Sequence, residues 1–433
     1  MATLSVPRLP RLPLLPDALR RIRIPRRLDD ISTVSPREED PSRAGMTHEG
    51  AERIWRSAEQ LFRSGFYPAI GLCVRRDGHV VLDRAIGWAR LGPEGDPPGD
   101  GRVLATPDTP FVIFSASKAM TATVIHLLDE RGHLHIADRV CEYIPEYSGH
   151  GKEAITIEHV LSHRAGVANL PSEALDLANI DNRDYLLQVM CDARPATRPG
   201  RLLAYHAASG GFILAEIVER VTGKGLRAVM QEEILDPLDF RWGNYGVAED
   251  ELDAVGHSYV TGPLPLPPVS TVLERALGMH PDRMTRLSND PRLLTGVMPS
   301  GNIVTTADEL SRFFELLRCG GELDGVRVME GRTIRRAIVE RAYRELDLVL
   351  GAPLRYSAGF TLGADALSLF GPDTDEAFGH LGFTNVLAWA DPERRLSVGL
   401  ITSGKPMLHP GLPLLWALTR RIGLEAPRRG GER

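Results

Sequence analysis

Apolar residues recur along this chain with two different periods, and the change between them divides it. Ile54, Trp55, Ala58, Leu61 and Phe62 recur at helical spacing behind Thr47, a residue suited to cap a helix, and Gly65 ends the run. Two β-prone runs follow at 69–74 and 79–85, joined through Asp77 and Gly78, whose tolerance of positive φ suits a tight hairpin. A second hairpin is predicted near the carboxyl end, where 385–390 and 396–402 flank Asp391 and Pro392. Between them, from about Ser115 to Arg312, the strong patterns are helical, over 116–130, 157–162, 211–221 and 307–317. The last of these opens with Thr306 and Glu309 in capping-box spacing.

Strands at both ends and helices between predict an α+β fold. One antiparallel sheet forms from both chain ends, flanked by helices, with a mainly helical domain inserted. The sheet domain is expected to comprise 46–112 and 290–425, and the helical domain 113–289. Residues 1–45 are rich in arginine and proline, with Pro7, Pro10, Pro13, Pro16 and Pro25 breaking any helix, and are expected to be a disordered tail. An organelle address and a misassigned start upstream of Met46 are the open alternatives. The proline-rich stretch 262–268 is expected to be an irregular loop, either a wall or lid over a site or a plain surface loop.

Composition narrows the class. With 433 residues and 43% of them hydrophobic, the chain can bury a substantial core. The net charge of -6 comes from intermixed acids and bases, so the basic footprint that nucleic acid requires is missing. Cys73, Cys141, Cys191 and Cys319 lie far apart without CxxC pairing, which fits neither a disulfide framework nor a zinc knuckle; buried free thiols are expected. No apolar run reaches the roughly 18 residues that span a bilayer, and the amino terminus lacks the unbroken apolar core of a secretory signal. A cytoplasmic protein without stable membrane insertion is therefore expected. Lys118, Lys152, Lys224 and Lys405 are the only lysines, so a lysine at a motif position is not background.

One such position stands out. Ser115-Ala116-Ser117-Lys118 is the only place where lysine follows serine by three. At a helix start, residues three apart share a face and rise about 4.5 Å, so hydroxyl and amine can meet. Unpaired N–H groups at the same helix end favour an alkoxide and a neighbouring oxyanion. At its ordinary pKa of about 10.4 a lysine is neutral in roughly one molecule in 2500 at pH 7, so a base role requires burial or a group that shares its proton. Taken alone, the same four residues also describe a capping serine and a solvated lysine.

The surrounding text is longer than that motif. "FSASKAM", "LSHRAGV", Tyr205-His206-Ala207 with "GGFILAEIVERVTGK", "MPSGNIVTTADEL" and His380-Leu381-Gly382 follow in order across roughly residues 47–422. Together they resemble the class C β-lactamase and family VIII esterase superfamily. The resemblance implies a β-lactamase/transpeptidase-like catalytic unit with Ser115 as the acylated nucleophile and Lys118 as its proton acceptor. It implies that Tyr205, in the YxN-type motif, helps take the serine proton and return it to the leaving group; by composition alone Tyr205 reads as a core aromatic. It also implies an oxyanion hole from the backbone N–H groups of Ser115 and Phe383, a small-molecule ester or amide substrate and no cofactor.

Two positions depart from the β-lactamase pattern. His380 stands where the third motif usually has lysine ahead of a threonine and Gly382, and Ala207 stands where the second motif usually has asparagine. A histidine of pKa about 6.5 is largely neutral at pH 7, so a carboxylate-bearing β-lactam loses an expected partner. Both departures favour less charged esters, with a β-lactamase, a D-amino-acid peptidase, an acyltransferase or a catalytically silent ligand-binding member as alternatives. Phe383, Trp389 and the 262–268 loop are candidates for an apolar pocket wall or for ordinary core.

Other chemistries lack their parts: the chain has no GxSxG elbow, no HExxH helix and no Walker loop. His159 and His163 have the spacing of a metal pair but no third ligand, so His159 is read as surface and His163 as structural. Asp308 and Glu309 are explained by helix-start electrostatics.

Overall fold

The computed structural model describes residues 17–92, 101–267, 269–407 and 409–428. Nine strands form the path of its main sheet: β1 (Ser32–Val34), β2 (Ala69–Arg76), β3 (His79–Arg90), β4 (Ala342–Leu346), β5 (Pro353–Tyr356), β6 (Thr361–Leu362), β7 (Phe378–Gly382), β8 (Val386–Asp391) and β9 (Leu396–Thr402). Their order is β1-β3-β2-β9-β8-β7-β6-β5-β4, every pairing antiparallel, so strands from both chain ends meet where β2 pairs β9. The short strand Val103–Leu104 adds to β3.

Period-2 patterning assigns the two faces. Ile70, Leu72 and Val74 of β2 and Val398 and Leu400 of β9 pack with helices α1 (His48–Phe62) and, at the carboxyl end, Leu412–Glu425. The opposite face, with Cys73 and Ile401, packs against the helix Ala307–Arg318 and the rest of the helical core. That helix lies very close to the sheet: a Cβ at Gly399 would sit 2.3 Å from the Ala307 carbonyl oxygen, so only glycine fits. Asp77 and Gly78 both have positive φ, 52° and 83°, as a tight β2–β3 turn demands.

The helical stretch contains α2 (Ser117–Glu130), α3 (Ser209–Thr222), α4 (Val269–Leu277) and the helix Ala307–Arg318, named α5, with Leu412–Glu425 as α6. α1 begins as predicted, with the Thr47 hydroxyl accepting from the Gly50 N–H at 3.0 Å. α5 has only half of the predicted capping box. Thr306 accepts from the Glu309 N–H at 3.1 Å, while the Glu309 carboxylate turns away to accept from the Arg241 and Trp242 N–H groups at 2.8 and 2.9 Å.

The disordered tail expected to residue 45 does not hold from residue 17 onward; residues 1–16 lie outside the described residues. Ile22, Leu28, Ile31 and Ala44 are buried, β1 pairs with β3, and Arg20 reaches Asp282 at 2.5 Å. Proline removes local helix but leaves a chain free to be ordered by burial and side-chain contacts made far away in sequence. The free cysteines also differ from expectation: Cys73 is buried, Cys141 and Cys191 are half-buried, and Cys319 is exposed.

Candidate active site

A small three-stranded sheet sets the geometry. Phe111–Val112 pairs with Ile303–Thr305, and the Ile113 N–H continues the contact to the Ile303 carbonyl at 2.9 Å. Phe114 then takes φ of +50°, a left-handed conformation that costs a bulky residue about 1–2 kcal/mol. A 3-10 turn over Phe114–Ala116 follows, and α2 proper starts only at Ser117. Ser115 thus stands in the turn before the helix, one residue ahead of the predicted start, on a sharp corner held from both sides. The Ile303 N–H donates to the Ser117 hydroxyl at 3.1 Å, tying the first turn of α2 to the same strand.

From this corner the Lys118 ammonium donates to Ser115 Oγ at 3.1 Å and to the Ser300 carbonyl at 3.1 Å. Its nitrogen lies 5.0 Å from the centre of the Tyr205 ring. Burial lowers the Lys118 pKa to about 7, with no carboxylate opposing the shift. The side chain keeps some exposed surface, and covering that surface pushes the pKa in the same direction. An amine that is half uncharged near neutrality, within hydrogen-bond distance of a hydroxyl, can take its proton.

Tyr205 is buried and fixed at both ends. Its backbone N–H donates to Asp347 Oδ1 at 3.1 Å, and its ring lies 4.7 Å from that of His163. Burial raises its pKa above the usual tyrosine value, a hydrogen bond with Ser115 opposes the rise, and the Asp347 carboxylate adds to it. His163 has φ of +60° and accepts the His206 N–H on Nδ1 at 3.3 Å, so it braces the Tyr205 segment. His159 is half-buried, and its ring closes a capping box with Thr156. Among the described residues no cluster of His, Cys, Asp or Glu could hold a metal ion.

β7 forms the opposite wall. His380 is buried, its Nδ1–H donates to the Leu381 carbonyl at 2.8 Å, and burial, helped by the nearby Lys118 charge, lowers its pKa to about 3. It is therefore neutral at pH 7. At Gly382 a Cβ would lie 2.0 Å from the Ile113 carbonyl oxygen, so glycine lets β7 approach the corner that carries Ser115. Phe383 packs its ring 5.3 Å from that of Phe114. Ala207 is half-buried and lines the cleft beside Ser115.

Several residues at the site escaped the sequence reading. Ser300 supplies the second acceptor for Lys118, from the turn at 298–302 that Asn302 pins through the Leu293 and Gly296 carbonyls. Lys405, just after β9, is buried with its nitrogen 4.7 Å from the Phe114 ring centre and its pKa lowered by burial to about 7. The scarcity of lysine was the signal that marked it. Trp389 is not part of the site: it stacks on Phe370 in the core beneath α1 and α6. The 262–267 segment is a surface loop with exposed Leu264 and Leu266, held by Arg20 to the Gly262 carbonyl at 2.6 Å. α4, which follows it, supplies Leu273 and Leu277 to the cleft instead.

The sheet, the inserted helices and the cleft at their junction define a β-lactamase/transpeptidase-like fold of the kind used by serine hydrolases. The chain belongs to the Beta-lactamase family, whose model matches residues 54–419. It is 29% identical over 397 residues to the esterase/beta-lactamase LipL of Mycobacterium tuberculosis, covering 87% of this chain and 88% of that one. A penicillin-binding protein homologue from Caulobacter crescentus superposes with a TM-score of 0.74 at 27% identity, over 87% of this chain and 97% of its own. A family VIII carboxylesterase does so with 0.74 at 25%, over 86% and 97%. The chain is thus a serine hydrolase of this family, acting on ester or amide bonds. Among the described residues no helix is long and apolar enough to cross a membrane.

Proposed function

We propose that this protein hydrolyses carboxylic esters through an acyl-enzyme on Ser115. The observation that carries the reading is the 3.1 Å contact between Ser115 Oγ and a lysine whose pKa burial lowers to about 7. Ser115 Oγ attacks the carbonyl carbon as its proton passes to Lys118 Nζ. The tetrahedral oxyanion is held by the backbone N–H groups of Ser115 and Phe383, each such donor being worth about 3 kcal/mol in the transition state. The carbonyl re-forms, the carbon–oxygen bond to the alcohol breaks, and that oxygen takes the proton from Lys118 by way of Tyr205. Water then attacks the Ser115 ester, giving up a proton by the same route, and releases the acid with Ser115 restored.

The cleft favours esters over carboxylate-bearing β-lactams. Among the described residues its walls carry neither arginine nor lysine, and their histidine, His380, is neutral. Among the described residues the apolar walls carry one acidic side chain, Asp176, which meets Arg283 at 3.7 Å. Initial rates on a short p-nitrophenyl ester and on a chromogenic cephalosporin, each against Ser115→Ala, test the reading. Serine-dependent ester cleavage with little cephalosporin cleavage is expected. Fast cephalosporin cleavage restores a β-lactamase, and activity on neither ester nor cephalosporin contradicts the reading.

A further inference from the structure

Ser115 sits where two separate apolar pockets meet, and their linings differ in one chemically decisive residue. The first pocket runs under the helical domain, where Leu175, Phe212, Met279 and Met298 line it beyond Ala207. The second runs along the sheet edge past Leu350, Leu354 and Leu381. Both include Ser115, and Phe383 stands in the wall of each, so the reacting carbon can be reached from either side. Tyr205 and His380 line the second pocket and not the first.

That asymmetry assigns the two arms of the substrate. During acylation the proton goes to the oxygen of the departing alcohol, so that oxygen has to lie on the side of the proton donor. Resting on the Ser115 acyl-enzyme mechanism above, we infer that the sheet-edge pocket receives the alcohol and the helical-domain pocket retains the acyl chain. The substrate class is then an uncharged ester with an apolar group on both sides of the carbonyl. Methionine is unbranched and adapts to irregular shapes, so Met279, Met284 and Met298 form a wall that accommodates acyl chains of more than one length. Among the described residues neither pocket is lined by a cation that could meet a free carboxylate on either arm.

The assignment makes the two pockets kinetically distinguishable. After the alcohol leaves, only the acyl arm remains on the protein, so a change in the helical-domain pocket alters deacylation for every leaving group. A change in the sheet-edge pocket alters the preference among leaving groups. Ala174, buried in the short turn that lines the first pocket, and Ala352, beside the second, are small side chains that can be enlarged.

The test measures kcat/KM for four esters: p-nitrophenyl octanoate and acetate, which vary the acyl arm, and 1-naphthyl and methyl acetate, which vary the alcohol. Ala174→Phe is expected to lower the octanoate-to-acetate ratio by about tenfold or more, because each methylene excluded from an apolar pocket counts for at least that factor. Met279→Ala, which enlarges the same pocket and does not depend on a bulky insertion folding, is expected to change that ratio and leave the naphthyl-to-methyl ratio alone. Ala352→Phe is expected to lower the naphthyl-to-methyl ratio only. Exchange of the two effects, or both ratios unmoved in all three variants, overturns the assignment while Ser115-dependent hydrolysis continues. Absence of Ser115-dependent hydrolysis of all four esters by the parent protein overturns the acyl-enzyme reading itself.

Discussion

Lys118 and Arg75 are two cations held inside this protein, and the fold treats them in opposite ways. Arg75, on β2, faces α5. Its Nη2 binds Asp308, its Nε donates to Ser311 Oγ at 3.0 Å, and Arg37 reaches the same carboxylate at 3.7 Å and Asp83 at 2.9 Å. Burial works against the Arg75 charge, but Cys73, Asp308 and Glu315 outweigh it and hold the guanidinium above its ordinary pKa. Lys118 has a hydroxyl and a backbone carbonyl as acceptors, three buried imidazoles around it and no carboxylate in its shift. Where carboxylates surround a buried cation, its charge becomes part of the architecture; where they are withheld, the same burial lowers the pKa to where the amine could serve as a base.

Removing the lysine breaks this contrast with the largest effect. Lys118→Met is expected to lower kcat/KM for an ester by about 10²–10⁴-fold. It should also raise stability at pH 6. The folded pKa of Lys118 lies below its unfolded value, so the folded state binds fewer protons between about pH 7 and 10.5, and stability rises with pH through that window. Below pH 7 both states are protonated and the burial penalty is complete, so removing the amine gains stability on the order of a few kcal/mol there. Denaturant unfolding of the variant at pH 6 and at pH 9 reads this; a variant less stable than the parent at pH 6 contradicts it.

Tyr205→Phe sharpens the contrast by removing a hydroxyl while keeping the ring against His163 and the backbone bond to Asp347. Turnover is expected to fall by about 10²-fold with the melting temperature little changed. Unchanged turnover takes Tyr205 out of the proton path. The matching change in the structural cluster is Asp308→Asn, which leaves Arg75 and Arg37 short of a counter-charge. A loss of about 3 kcal/mol in unfolding free energy is expected, without loss of kcat in the folded fraction. A fall in kcat with no change in stability would reverse the roles of the two regions.

The smallest effect comes from adding what Lys118 lacks. His380→Glu sets a carboxylate where the neutral imidazole now faces Lys118, and an opposite charge at short range raises a lysine pKa by about one to three units. The parent protein is expected to lose activity as pH falls through about 7, and the variant to lose it at a correspondingly higher pH. A rising limb that stays near 7 in the variant argues against Lys118 as the titrating base.

How much of this was written in the sequence follows from where information is local. The β2–β3 hairpin, α1, α5 and the strands 386–391 and 396–402 carry strong periodicity and unambiguous turn or cap residues, and they form close to where the pattern predicts. The outer strands β4 to β6 are short and carry charged residues on both exposed and half-buried positions, such as Arg344, Glu345 and Arg355, so no apolar alternation can be read from them. The segment 17–45 has no local pattern and is ordered by distant contacts. At the site, Ser115 and Lys118 are legible because four consecutive residues hold them. Ser300, Asp347 and Lys405 act through a carbonyl, a bond to another backbone, or packing against a ring, and those roles exist only once the chain is folded. The lowered pKa of Lys118 depends on the same thing, since burial is a property of the fold.

The proposed acyl transfer requires a covalent bond to one atom, Ser115 Oγ. Incubation with a p-nitrophenyl phosphonate ester, followed by intact mass and peptide mapping, is expected to show one adduct per chain on the peptide bearing Ser115, and none in Ser115→Ala. An adduct that persists in Ser115→Ala, or that maps to another residue, would contradict Ser115 as the nucleophile and with it the proton path through Lys118 and Tyr205.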